Sequence, residues 1–275
     1  MWTLSGFADE IDADFTRQCT VARRLGLNFI EIRSAWDTGV LDLTDAQLTE
    51  ARDILVDHSL GVSAIGSPIG KIFIDADFDE HLDRMHRAVE VAHHFQAPYI
   101  RVFSFFQRPE IDADEARAEV IRRLRALADI AEPAGVTLLH ENDPEIYGAT
   151  PDRCLDLVTA VDSHRLRLVW DPANFVRVGV RPHTDGYELL RPHLEYVQIK
   201  DARAEDGLVV PAGAGDGQIR ETIRALRADG FEGFFSLEPH LESHTTSPDV
   251  SGEELFHIAW DAFTAMLDEE TIPYA

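Results

Sequence analysis

Three features of this 275-residue sequence predict an α/β protein folded as one (β/α)8 TIM barrel over residues 1–275. Eight short runs rich in Ile, Val, Leu, Phe and Tyr recur along the chain, an amphipathic stretch follows each, and the repeat averages about 34 residues, the size of one strand–helix unit. The runs are bounded by Gly, Pro, Asn or Asp, as strands buried on both faces should be. An open doubly wound sheet is the alternative. It more often shows a GxGxxG turn after its first strand, whereas this first strand leads into SGFADEID.

Taken in order, Thr3–Phe7 is the first strand, and Asp14–Leu25 then sets Phe15, Cys19, Ala22 and Leu25 on one helical face. Phe29–Arg33 is followed by helix Asp45–Leu60. Val62–Ile65 leads through the glycine-bearing GSPIGK loop to helix Phe78–Phe95. Tyr99–Phe103 precedes Asp112–Ala131, and Val136–Glu141 precedes Pro151–Val161. Leu166–Asp171 opens into a long loop, Pro172–Asp185, and a short helix, Gly186–Arg191. Tyr196–Lys200 precedes Gln218–Ala228, and Phe234–Glu238 precedes Glu253–Leu267. Gly26, Gly61, Gly135 and Gly230 each stand between a helix and the next strand, where a left-handed turn is cheapest without a Cβ.

Composition narrows the function. Fifty acidic against 25 basic residues give a net charge of −25, which argues against nucleic acid as a partner. It also disfavours a highly anionic substrate unless a local group of cations overrides it. Hydrophobic residues make up 45% of the chain, enough for a full core. No run nears the roughly 18 apolar residues of a membrane span, and the start, MWTLSGFADEID, is unlike a signal segment. Cys19 and Cys154 make no disulfide framework, so a reducing cytoplasm is expected. Only two of the 25 basic residues are lysines, Lys71 and Lys200, and both fall at predicted strand exits. A compact ammonium fits where a planar guanidinium does not.

Active sites of such barrels gather at the C-terminal ends of the strands. There the last four strands deliver Glu141, Asp171, Gln198 and Glu238. Any one of them alone would read as a helix cap or an ion-pair partner. Four consecutive strands ending this way is a different matter, because converging carboxylates repel one another and a divalent cation relieves the repulsion. An all-oxygen set suits manganese or magnesium better than zinc. Candidate substrate contacts are Lys200, His240, Asn174, Asn142 and Lys71, with Asn142 also placed to brace a ligand. Alternation turns His140 away from the side of Glu141. Arg101 is expected to pair with Glu31 inside the barrel, and Phe7 and Trp36 to wall the mouth. The glycines of GSPIG and VPAGAGDG offer at most a weak phosphate-cradle signal.

HEN at 140–142, WDPAN at 170–174, YVQIKDA at 196–202, VPAGAGDG at 210–217 and SLEPH at 236–240 resemble the xylose-isomerase-like TIM-barrel superfamily, across essentially the whole chain. That group of sugar phosphate isomerases and epimerases includes tagatose/psicose 3-epimerases, hydroxypyruvate isomerase, inosose dehydratase and endonuclease IV. The resemblance implies that Glu141, Asp171, Gln198 and Glu238 hold the metal, and that Glu141 and Glu238 double as catalytic acid and base. Three departures point away from the tagatose-type epimerases and endonuclease IV. Gln198 stands where many members have His, Asn174 replaces the His three residues after the strand-six aspartate, and Asp143 replaces the His of an ExH pattern.

The expected function is a divalent-metal-dependent isomerase or epimerase of a ketose or related keto-sugar, working through an enediolate. A metal-dependent dehydratase of a keto-inositol or dehydroshikimate-like substrate is the alternative, and a non-catalytic sugar-binding barrel the second. The expected partner is a small-molecule carbohydrate, with no membrane and with a homo-oligomer possible, since related barrels often pair.

Overall fold

The computed structural model describes residues 1–241 and 250–275. Eight parallel strands line the barrel: β1 Thr3–Gly6, β2 Phe29–Ile32, β3 Gly61–Ile65, β4 Tyr99–Val102, β5 Thr137–Glu141, β6 Leu166–Trp170, β7 Leu194–Ile199 and β8 Phe234–Leu237. Neighbours follow chain order from β2 to β8, β8 pairs with β1, and a parallel bridge between Phe7 and Glu31 brings β1 against β2. The fold class is therefore the one the repeat predicts.

Helices α1 (Phe15–Leu25), α2 (Asp45–Asp57), α3 (Asp79–Phe95), α4 (Ala113–Ala134) and α5 (Pro151–Val161) follow the first five strands. Their ends use local chemistry. The Asp14 side chain accepts from Arg17 N to cap α1, and Thr44 and Gln47 form a capping box on α2. Gly26 closes α1 at φ +100°, a conformation costly for any residue with a Cβ. Helices α7 (Ile219–Ala228) and α8 (Gly252–Glu269) back the last two strands.

The segment after β6 differs from expectation. Pro172–Asp185 is not simply a loop, because Pro172–Arg177 forms a short helix, α6, begun by Asp171 as cap and proline in its first turn. Nor is Gly186–Arg191 one helix. A wide π-type turn, Pro182–Tyr187, runs into the short helix Glu188–Leu190 and a tight turn at Arg191–His193. Pro182 and Pro192 limit regular hydrogen bonding there, and tertiary anchors replace it, such as Tyr187 OH donating to Asp229 at 2.8 Å.

Outward-facing strand residues such as Ile30, Val102, Leu138, Val197 and Phe235 are fully or almost fully buried under the helices. Each such side chain contributes roughly 1.5–3 kcal/mol by leaving water. The barrel interior is stratified. Ala64, Leu139, Val169 and Tyr196 form an apolar layer packed against Tyr99 and Phe234. Beside it runs a buried polar chain in which the Ser5 and Ser63 hydroxyls lie 2.6 Å apart, Ser63 lies 2.8 Å from Tyr196 OH, and Tyr196 and Ser236 both donate to Glu31 Oε2. Strand alternation then aims Glu141, two residues beyond Leu139, and Glu238, two beyond Ser236, into the layer above. Cys19 and Cys154 are buried free thiols on α1 and α5. No helix among the described residues is long and apolar enough to cross a membrane.

Candidate active site

Glu141 ends β5, Asp171 follows β6, Gln198 lies one residue before the end of β7, and Glu238 follows β8. None is more than 3% exposed. The structure brings them together: one carboxylate oxygen each from Glu141, Asp171 and Glu238 lies within 4.8 Å of the other two. Asp171 serves two neighbours. Its Oδ1 accepts from Asn174 N at 2.9 Å and starts α6, while its Oδ2 faces the carboxylate group.

Gln198 Nε2 donates to Glu141 Oε2 at 2.8 Å. This bond fixes the amide orientation, because the flipped rotamer would set oxygen against oxygen. Gln198 Oε1 is consequently buried without a donor among the described residues. A buried acceptor left unsatisfied costs about 1–3 kcal/mol, and here it accompanies three converging carboxylates. The three carboxylates are oxygen donors of the kind a divalent cation takes, and the Gln198 amide adjoins them through Glu141.

Protein cations lie against the carboxylates. Lys200 Nζ lies 2.6 Å from Asp171 Oδ2 and 2.8 Å from Glu238 Oε2. Arg101 Nη1 reaches Glu141 Oε2 at 3.0 Å and lies 3.7 Å from Glu238 Oε1. Arg33 Nη1 meets Glu238 Oε1 at 3.1 Å, while its Nε donates to Asp9 at 2.8 Å. The expected Arg101–Glu31 pair is therefore corrected: Arg101 stands one layer higher, on Glu141, and Glu31 is satisfied by hydroxyls. Arg33, Asp9 and Glu10 were not singled out as site residues. The only sequence signal for them was their position after the first two strands.

Burial opposes every charge in this group. At Glu238 the surrounding Lys200, His240, Arg101 and Arg33 overcome it and hold the carboxyl well below its usual range. At Asp171 burial wins over Lys200, helped by the neighbouring Glu238 and Glu141, and lifts the carboxyl to about 7. Burial alone would lower Lys200, but Asp171 and Glu238 more than reverse that and keep it protonated. Burial drops His240 to about 4, and burial with the Glu238 charge raises Glu10 to about 8. His240 Nε2 and Glu10 Oε1 lie 3.2 Å apart.

Above the carboxylates opens a cavity of about 470 Å³, within the range of small-ligand sites. Lys200, Lys71, Asn174 and His240 line it. Asn142 does not. Its Nδ2 donates to the Asp171 carbonyl at 2.8 Å and its Oδ1 accepts from Asp171 N at 3.0 Å, so its buried amide braces Asp171. His140 is fully buried, with neither ring nitrogen partnered among the described residues, and burial lowers it to about 3. Trp36 is not part of the lining. Phe7 is wholly buried and acts as a shelf instead of a wall, with the Arg33 and Arg101 guanidinium carbons 4.8 and 4.9 Å from its ring centre.

Neither glycine loop is a phosphate cradle. The amides of Gly213 and Gly215 point at Asp201 Oδ2, and those of Gly217 and Ala202 at Oδ1, so the chain's own carboxylate fills the place of an anion. In the other loop, Gly70 N donates to His81 Nε2 and Ile69 N to Ser67 Oγ.

The profile of the xylose isomerase-like TIM barrel family matches residues 19–259. The chain belongs to this family. Within the xylose isomerase-like barrels it is 24% identical over 199 residues to the 3-dehydroshikimate dehydratase of Bacillus anthracis, covering 71% of this chain and 69% of that one. It is 31% identical over 141 residues to the 2-epi-5-epi-valiolone 7-phosphate 2-epimerase of an Actinoplanes species, a match spanning 51% of this chain and half of the relative. A xylose isomerase-like barrel protein from Mycobacterium smegmatis, solved in complex with magnesium, superposes with a TM-score of 0.70 at 22% identity, over 97% of this chain and 98% of the other.

Proposed function

We propose that this protein is a divalent-metal-dependent isomerase or epimerase of a ketose or related keto-sugar. The observation that carries the reading is the convergence of Glu141, Asp171 and Glu238 oxygens within 4.8 Å, with the Gln198 amide hydrogen-bonded to Glu141. Those four residues would hold the ion, with manganese or magnesium favoured by the oxygen donors. When bound, it supplies Lewis-acid polarisation of a substrate carbonyl and its neighbouring hydroxyl.

The chain's own groups then handle the proton. Glu238, at the end of β8, is the group that would remove the proton from the carbon between carbonyl and hydroxyl, and its cations keep it in the deprotonated form that this requires while lowering its basicity. Glu141 enters the mouth from β5, three strands around the barrel from β8, and is placed to return a proton. Return to the same carbon from the other side is epimerisation, and return to the neighbouring carbon is isomerisation. Asn174 Nδ2, 3.4 Å from Glu141 Oε1 and 3.0 Å from the Asn142 carbonyl, steadies Glu141. Loss of a β-hydroxyl after the same abstraction would make the protein a dehydratase, a second reading favoured by the dehydratase relative.

The test uses the full chain. Calorimetric titration with manganese, magnesium and zinc should find one tight site, lost in Glu141→Ala and Glu238→Ala. Incubation with a keto-sugar panel in deuterated water should label recovered sugar by NMR. A conjugated enone absorbance without label would select the dehydratase. Absence of both stoichiometric metal and turnover would reject enzymatic function and leave a binding barrel.

A further inference from the structure

Lys200 meets the two carboxylate oxygens that other groups leave uncommitted. Asp171 gives its Oδ1 to the amide of Asn174 at 2.9 Å, and Glu238 gives its Oε1 to Arg33 at 3.1 Å, with Arg101 at 3.7 Å. Those partners are anchored elsewhere as well. Asn174 N belongs to the first turn of α6, Arg33 also donates to Asp9, and Arg101 also reaches Glu141. The other oxygens, Asp171 Oδ2 and Glu238 Oε2, meet only the Lys200 ammonium among the described residues, at 2.6 and 2.8 Å. They are therefore the oxygens that these two residues can offer to a cation beside Glu141.

An ammonium and a divalent ion cannot both hold them. They would compete for the same lone pairs, and two cations that close repel strongly in a buried site. The residue found there suits an exchange. A guanidinium is a planar fork that clamps carboxylates two bonds at a time, whereas an ammonium is a compact charge on a flexible four-carbon stem. Only two of the chain's 25 basic residues are lysines, and one of them stands here. Lys200 also borders the mouth cavity, so its stem has space to turn into. When it turns, Glu238 keeps Arg33 and Arg101.

We propose that Lys200 is a tethered place-holder for the cation: its ammonium yields Asp171 Oδ2 and Glu238 Oε2 to a divalent ion and turns into the mouth cavity, where its three N–H donors become available to a ligand. The inference rests on the reading of this cluster as a metal site and adds a residue whose position depends on the ion. It has a consequence for affinity. The ion binds only those molecules in which the ammonium has moved aside, so its apparent affinity is reduced by that fraction.

The experiment follows the ammonium itself. In the full chain labelled with nitrogen-15 at lysine Nζ, two ammonium signals are expected by NMR, and Lys71→Gln leaves that of Lys200 alone. Saturating magnesium, which is diamagnetic, should shift the Lys200 signal and quicken exchange of its protons with water, while the Lys71 signal stays in place. Calorimetry should find magnesium bound about tenfold or more tighter by Lys200→Met than by the wild type. Arg33→Gln takes an equal charge from Glu238 without clearing the place, and should gain less. Should Lys200→Met fail to fold, the Lys71→Gln spectrum decides alone. A Lys200 signal indifferent to bound magnesium, or an equal gain in Arg33→Gln and Lys200→Met, overturns the inference and leaves the metal-dependent function standing. Magnesium and manganese bound by Lys200→Met but not by the wild type would support the inference and remove the metal from the wild-type function. Binding of these ions by neither chain overturns both.

Discussion

The Lys200 ammonium lies 2.8 Å from Glu238 Oε2, with both side chains almost wholly buried, and the same nitrogen is 2.6 Å from Asp171. Two carboxylates share one lysine. Removing it should leave Asp171 as an uncompensated buried charge, while Glu238 keeps Arg33 and Arg101, and breaking such a buried pair typically costs about 3–5 kcal/mol. Lys200→Met should therefore lower the melting temperature of the metal-free protein by roughly 6–20 °C. Manganese should raise the melting temperature of this variant more than that of the wild type, because in the variant it meets no competing ammonium. Scanning fluorimetry with and without metal measures both. An undiminished melting temperature would show that the ammonium does not stabilise the carboxylates.

Glu31, fully buried under the site, is raised to about 7 by burial, against the opposing pull of Arg101. A carboxyl whose folded pKa exceeds its unfolded value binds more protons in the native state, so stability is full below about 4.5 and falls as pH climbs through 7. The loss is on the order of 3 kcal/mol. Glu31→Gln keeps an acceptor for Tyr196 and Ser236 and removes the charge. Its stability relative to wild type should rise between pH 5 and 8, as read from urea midpoints across that range. A difference that does not change with pH would contradict the assignment.

Asp201 accepts from four backbone amides, two on each carboxylate oxygen: three from the 213–217 loop, which it organises, and that of Ala202. Asparagine has one acceptor oxygen, so Asp201→Asn turns an amide NH2 toward two N–H donors. Hydrogen bonds to a charged acceptor contribute roughly 1.5–3 kcal/mol each. The variant should lose about 2–4 kcal/mol, with amide exchange accelerated at Gly213, Gly215 and Gly217 before the barrel strands open. Unaltered protection there would show that the loop holds itself without the carboxylate.

The barrel was legible because each strand and helix advertises its own period, and the carboxylate set because one acidic or amide residue recurs at successive strand ends. The partners of those residues were not. Arg101 was assigned to Glu31, the apparent acid one strand-layer away, but which layer an arginine reaches depends on side-chain length and on the shelf that Phe7 provides. The glycines of 210–217 looked free for phosphate because nothing local shows that Asp201, just beyond the end of β7, accepts their amides. The irregular stretch 178–193 has no stable period to read, since its two prolines and its long-range anchors decide its path.

Gln198 offers a test in which two effects diverge. Replacing its amide by a carboxylate keeps size and shape but adds a negative charge 2.8 Å from Glu141, the spacing of the present hydrogen bond. In the metal-free protein Gln198→Glu loses that donor and adds repulsion, so stability should fall by about 3 kcal/mol. If the donorless Oε1 faces the cation, the same charge should tighten manganese binding about tenfold or more, equivalent to at least about 1.4 kcal/mol. Gln198→Leu removes donor and acceptor together and should weaken manganese about tenfold or more. Chemical denaturation gives the first quantity and metal titration the second. A Gln198→Glu protein that loses stability without gaining metal affinity would place the oxygen away from the ion and reduce the site to its three carboxylates.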